Sequence, residues 1–217
     1  MKKHTVCLFL LAACTAEAKA EEVTSKQLTL EEATAGLPKS GKLMVDITTP
    51  QGKITCELFP GSAPKTVASF VGLARGLQPW KDPKTDKWTK SPYFDGLAFH
   101  RVIPGFMIQG GDPLSRDYDA PGVGTGGPGY TLPDEIDAKL SFDKTGRLAM
   151  ANKGAKTQSG GSQFFITDGK PEQLNGGYAI FGQCGNEDVV RAIARVEKGP
   201  HDKPVKAVTM QVKVYKK

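Results

Sequence analysis

Cysteine is scarce in this 217-residue chain, and two of its four cysteines, Cys7 and Cys14, lie close to the N-terminus. Only Cys56 and Cys184 remain in the body, neither with a partner at metal-ligand spacing. Histidine is scarcer: beyond the N-terminal segment there are only His100 and His201. There is no HExxH and no CxxC, so a protein-built metal centre has too few ligands within reach. No GxSxG surrounds a serine. Ser162 stands in "GGSQF", and His100 is out of phase with its strand neighbours, which leaves nucleophilic catalysis without its motif. The glycines of "PGVGTGGPGYTLPDE" (121–135) do not open a helix behind a strand, the context a phosphate-binding loop requires. No internal repeat is visible. No apolar run reaches the roughly 20 residues of a membrane-crossing helix.

What the N-terminus has is an export signal over residues 1–20. Lys2 and Lys3 precede the apolar stretch "TVCLFLLAA" (5–13). Two processing readings stand side by side. "LAAC" (11–14) has the form of a bacterial lipobox, with Cys14 as the lipidated residue. "AEAKA" (16–20) has the small residues of ordinary cleavage, before Glu21. Either route leads to the periplasm, the first with a membrane anchor; stable anchoring takes more than one acyl chain. The signal carries a net +2, so removing it from the +6 of the whole chain leaves +4. Without a Lys/Arg block, that is a solubility charge and not a nucleic-acid footprint. In an exported protein Cys56 and Cys184 are either two buried thiols or a disulfide.

Residues 21–41 are polar and read as a tether, with a short helix in "TLEEATAG". The body is expected over 42–217. Leu43, Val45 and Ile47 alternate with polar residues, "TPQG" turns, and Ile54, Cys56 and Leu58 alternate again: a β-hairpin. Residues 62–76 read as a helix capped by Ser62, with Pro64 in its first turn. Residues 77–93 read as a surface insertion pinned by Trp80 and Trp88. Strands follow at 97–103, 106–109, 147–152, 162–167, 178–182 and 208–214, with a second helix over 187–196 capped by Asn186. Mainly β, with about eight strands and two helices, the pattern predicts a closed eight-stranded antiparallel β-barrel capped by two α-helices. With no spare apolar helix face, the expected state is a monomer.

Asp134, Glu135 and Asp137 cluster in a turn-rich loop and read as solvated carboxylates. What remains is a set of apolar and amide residues around one cation: Arg101, Phe106, Met107, Gln109, Asn152, Gln163 and Phe165. Such a set suits an extended, partly apolar peptide. On spacing alone Phe106, Met107 and Phe165 could equally be core, Gln109 and Gln163 sheet-edge amides, and Arg101 an ion-pair partner of Asp112. Strand alternation puts Arg101 on the face of Phe99 and Ile103, an unusual place for a fixed charge.

Four segments in order, "FHRVIPGFMIQGGD" (99–112), "GTGGPGY" (124–130), "MAN" (150–152) and "GSQFFIT" (161–167), resemble the cyclophilins, the cyclophilin-type peptidyl-prolyl cis-trans isomerases. The resemblance runs from about Leu43 to Tyr215. It implies an eight-stranded barrel with its groove on the outer surface, proline-containing polypeptides as substrates, and no cofactor. It implies that Arg101 is the catalytic arginine. Phe106, Met107, Phe165 and Leu174 would line the proline pocket, and Gln109 would support Arg101. Ala151, Asn152 and Gln163 would line the groove. Many members carry a tryptophan, which contributes to cyclosporin binding, where Gln173 stands, and a histidine where Tyr178 stands. A tyrosine still offers a ring face and a hydroxyl to the pocket rim. These departures also keep open a non-catalytic proline-peptide-binding chaperone on the same fold.

Overall fold

The computed structural model describes residues 26–217; the segment expected to be an export signal, Cys14 and the other residues before Lys26 lie outside the described part. In chain order the elements are α1 (Leu30–Thr34), β1 (Leu43–Thr49), β2 (Gly52–Leu58), α2 (Pro64–Ala74), β3 (Trp80–Lys81), β4 (Trp88–Thr89), β5 (Ala98–Phe99), β6 (Arg101–Ile103), β7 (Met107–Gly110), β8 (Arg147–Met150), β9 (Phe164–Thr167), β10 (Ile180–Cys184), α3 (Glu187–Ala194), β11 (Val208–Thr209) and β12 (Gln211–Lys216).

Eight strands form one sheet in the order β12-β1-β2-β10-β8-β9-β7-β6, with every described pairing antiparallel. Closure is where the sequence expectation fails. The sheet curls as a half-barrel but stays open, with β12 and β6 as its edges. The chain leaves the ladder at His100 and at Met210. The pieces before these steps, β5 and β11, pair separately for two residues, Phe99 with Val208 and Ala98 with Thr209. Of the three α-helices among the described residues, α2 and α3 are the expected pair.

The step at His100 also corrects the strand phase. Phe99 and His100 are both buried, so the alternation slips by one, and Arg101 emerges exposed while Val102 turns into the core. Arg101 therefore does not share a face with Phe99.

Of the two expected helix caps, Ser62 is not at the cap position, and Asn186 is there but makes no side-chain bond. The N-cap of α2 is Ala63, and the acceptor comes from far along the chain: Glu135 takes the N–H groups of Lys65 (3.1 Å) and Thr66 (2.8 Å). A carboxylate at a helix N-terminus meets both the unpaired donors and the dipole. Glu135 is thus structural, not merely solvated. Asn186 is the N-cap residue of α3, as expected, in the left-handed region (φ 56°) and with no side-chain cap bond.

The segment read as a tether lies against the body from Lys26 onward. Thr29 and Glu32 form a capping box for α1, and Ala33 is buried. Arg75 donates to the carbonyls of Ala33 and Ala35, while the buried Gln78 side chain bonds Lys26 and Leu28. In the insertion Trp80 is buried and stands edge-on to Tyr93, with β3 and β4 forming a short hairpin. Cys56 and Cys184 oppose each other across β2 and β10, buried and disulfide-bonded.

The two faces of the sheet carry separate apolar clusters. The inner one holds Val45, Ile54, Val102, Ile108, Phe164, Ile166 and their neighbours under α2 and α3. The smaller outer one is centred on Met107, Phe142, Ala149, Phe165 and Ile180.

Candidate active site

Register builds the site. Paired residues in adjacent antiparallel strands point to the same side. Arg101 pairs with Gln109, Gln109 with Phe165, Phe165 with Ala149, and Ala149 with Ile180. These five form one row across five strands on the outer face. Beside it, Ile103 pairs with Met107. The cation, an amide and the apolar residues are thus brought together by strand pairing alone.

Met107 and Phe165 are almost fully covered, but by outer-face loops and not by the core. Phe142 stacks on Phe165 at 5.8 Å, and Tyr178 stands edge-on to Phe165 at 5.4 Å. Phe106, Leu174, Ala151 and Tyr178 are partly buried around them and complete the wall. Phe142 has no counterpart among the expected site residues. It sits in an irregular loop, where no periodicity marks an apolar residue as inward. Gln173 is exposed beside Leu174.

The amides form a chain. Gln163 donates through Nε2 to the carbonyls of Gly124 (3.0 Å) and Gly126 (2.9 Å), which leaves its oxygen to accept from Gln109 Nε2 (2.9 Å). Gln109 is therefore turned toward Gln163, and no hydrogen bond joins it to Arg101 among the described residues. The support of the guanidinium expected from Gln109 is not a hydrogen bond among the described residues; register places the two residues side by side.

Asp112 is not an ion-pair partner of Arg101. Its buried carboxylate accepts from the N–H groups of Leu114 (2.8 Å), Gly124 and Gly126 (3.2 Å). Backbone donors wrapped around an anion hold the glycine-rich loop in place. A Cβ at Gly126 would lie 2.3 Å from an Asp112 oxygen, so only glycine fits. His100 lies behind Gly124, buried, with Nδ1 unpartnered among the described residues. Burial pulls its pKa below the ordinary value, against the opposing pull of the Asp112 carboxylate.

The loop walls a cavity of about 710 Å³ along the outer face, lined by residues 124–131 with Gln109, Ala151, Asn152 and Gln163. The Asn152 side chain is occupied, donating to the Gly177 carbonyl (2.9 Å) and accepting from the Gly154 N–H (3.1 Å). Its backbone N–H and C=O have no partner among the described residues. An extended peptide could pair with them as with a strand edge. The Arg101 guanidinium is exposed, with no carboxylate within 4.0 Å among the described residues. Among the described residues the arrangement offers an exposed cation without a carboxylate partner, a residue with open backbone groups and an apolar cluster on one face.

Residues 44–214 match the family model described as cyclophilin type peptidyl-prolyl cis-trans isomerase/CLD. The probable peptidyl-prolyl cis-trans isomerase A of Mycobacterium bovis is 45% identical over 166 residues, covering 75% of this chain and 86% of that protein. Peptidyl-prolyl cis-trans isomerase B of Streptomyces anulatus is 44% identical over 174 residues, covering 78% and 94%. Among solved structures, a Cryptosporidium parvum cyclophilin type peptidyl-prolyl cis-trans isomerase superposes with a TM-score of 0.67 at 32% identity, covering 82% of this chain and 99% of its own. A second structure of that protein, in the presence of the dipeptide ala-pro, gives 0.66 at 30%, covering 80% and 99%.

Proposed function

The chain belongs to the cyclophilin-type peptidyl-prolyl cis-trans isomerases, and on that premise we propose that Arg101 is its catalytic residue and that its substrates are exported polypeptides during folding. Rotation about the bond before proline faces a barrier of about 20 kcal/mol, because it breaks amide resonance. Uncatalysed it takes about 10–100 s. In the twisted state the prolyl nitrogen recovers its lone pair and can accept a hydrogen bond. A donor aimed at that nitrogen lowers the twisted state relative to either planar one. Arginine suits the task, being permanently charged with its donors in a rigid fork.

The observation that carries the reading is the row across the sheet. An exposed guanidinium, with no carboxylate partner among the described residues, stands beside Gln109 and next to the apolar cluster of Met107 and Phe165. The pocket, with Phe106, Leu174 and Tyr178, would hold the proline ring while the preceding carbonyl swings. Ala151, Asn152 and Gln163 would guide the chain, Asn152 through its free backbone groups. No covalent step is involved, and one monomer suffices.

Proline-limited refolding of a substrate protein tests the arginine. Wild type should accelerate the slow phase, and Arg101→Ala should lose at least about tenfold of that, roughly 1.4 kcal/mol. A loss smaller than about tenfold would refute the assignment. The exported setting rests on residues 1–20. Intact mass of the mature protein tests it: an acylated Cys14 or a free N-terminus near Glu21 fits, and a chain still beginning at Met1 does not.

A further inference from the structure

We propose that Asp168 is a positioning residue for the proline pocket, acting through the turn that carries Phe106; this rests on the pocket assignment made above. The turn runs from Ile103 to Phe106, whose N–H donates to the Ile103 carbonyl (3.1 Å). Pro104 and Gly105 are its central residues, with Gly105 at φ +71°. Proline followed by a positive-φ glycine is the type II pattern. It leaves the Gly105 N–H pointing out of the turn without a partner inside it.

Asp168 supplies that partner. Its Oδ2 accepts from the Gly105 N–H at 2.7 Å, and its own N–H donates to the Phe106 carbonyl at 2.9 Å. One residue thus holds the main chain on both sides of the Phe106 side chain. The same Oδ2 accepts from Arg195 Nη1 at 2.8 Å, which balances a carboxylate whose side chain is only 3% exposed. Arg195 is the C-cap residue of α3, so the pocket turn is braced against the end of that helix. The approach is close: a Cβ on Gly169 would lie 2.2 Å from the Gly105 carbonyl oxygen. Pro104 and Gly105 themselves face solvent and lend the turn little packing. Without the Asp168 carboxylate, the main-chain bonds of Phe106 to Ile103 and Asp168 remain but Gly105 loses its acceptor, and the turn holds the Phe106 ring less firmly at the pocket rim. The carboxylate itself does not face the groove and takes no part in the rotation.

A ring held equally well before and during rotation contributes to binding rather than to turnover. Asp168→Ala should therefore weaken the dissociation constant of an Ala-Pro-containing peptide by about tenfold, with the exchange rate at saturation within about twofold of wild type. Asp168→Asn keeps an oxygen for the Gly105 N–H while losing the charge, and should restore binding to within about threefold. Both constants are read by NMR titration and cis–trans exchange on one peptide, with the melting temperature followed in parallel. Unchanged binding in Asp168→Ala, whatever its melting temperature, would make Asp168 merely structural and overturn the proposal. Equal weakening in the Asn and Ala variants would overturn it too, since the Gly105 bond would then be irrelevant. If the Ala variant does not fold, Asp168→Glu takes its place: its longer arm displaces the acceptor, and the same weakening is expected. Peptide that moves the Phe106 and Met107 resonances without cis–trans exchange in wild type would sink only the catalytic reading of Arg101. Peptide that leaves those resonances unmoved would sink the pocket assignment and this proposal with it.

Discussion

Gln163→Glu is a one-atom test of the amide chain. Gln163 now donates to two carbonyls, Gly124 at 3.0 Å and Gly126 at 2.9 Å, and accepts from Gln109. An ionised carboxylate keeps the bond from Gln109 but turns an oxygen toward the two carbonyl oxygens. Two neutral hydrogen bonds at about 1 kcal/mol each are lost, about 2 kcal/mol in all before any repulsion is counted. That corresponds to roughly thirtyfold in the fraction of molecules with the glycine loop seated. Protonation gives the carboxyl a donor that rebuilds one of the two bonds, so the loss should shrink as the pH falls. The introduced group's pKa should lie above the usual carboxylate range for the same reason. The assay is cis–trans exchange of an Ala-Pro peptide between pH 5 and 8, with wild type as the flat reference. Activity within twofold of wild type at pH 8 would refute the reasoning, and so would a loss that does not depend on pH.

Three further outcomes follow from the fold. The disulfide closes a separation of 128 residues, worth about 5 kcal/mol in the chain-entropy picture. Refolding under reductant should therefore lower the melting temperature by roughly 10–20 °C, while a Cys56→Ala/Cys184→Ala double variant should ignore reductant; insensitive wild type would mean no bridge forms. Glu135→Ala removes the acceptor for two N-terminal donors of α2 and should cost about 1–2 kcal/mol in urea unfolding, an effect absent if solvent replaces it. His100 is held neutral by burial, with a folded pKa below the ordinary 6.5. Below that value the unfolded chain binds the extra proton first, so stability is full above about pH 6.5 and falls as the pH drops toward the folded value. Melting curves from pH 7.5 to 5 should show that slope in wild type and lose part of it in His100→Gln.

Much of this was legible in the sequence because alternation and motif order are local signals. The hairpin of Leu43, Val45, Ile47 and Ile54, Cys56, Leu58 folds as its pattern predicts, and the aligned motifs hold the candidate site residues together. What was not legible depends on contacts distant in sequence. The slip at His100, which turns Arg101 outward, is an irregularity that two-residue periodicity cannot express. The open sheet follows from the same step and its counterpart at Met210. Glu135 capping α2 across some seventy residues of chain, Asp112 gathering the glycine loop, and Phe142 covering Phe165 carry no local mark. A polar composition made residues 21–41 look like a tether. Yet Gln78 and Arg75 bind the backbone of its later part, and backbone groups carry no sequence signal.

The most direct measurement is the pair of constants for Arg101→Ala on one Ala-Pro peptide, its dissociation constant by NMR titration and its cis–trans exchange rate at saturation. The account predicts binding within a few-fold of wild type and exchange slower by at least about tenfold, since the guanidinium acts on the twisted state. Exchange within tenfold of wild type, with binding intact, would contradict it.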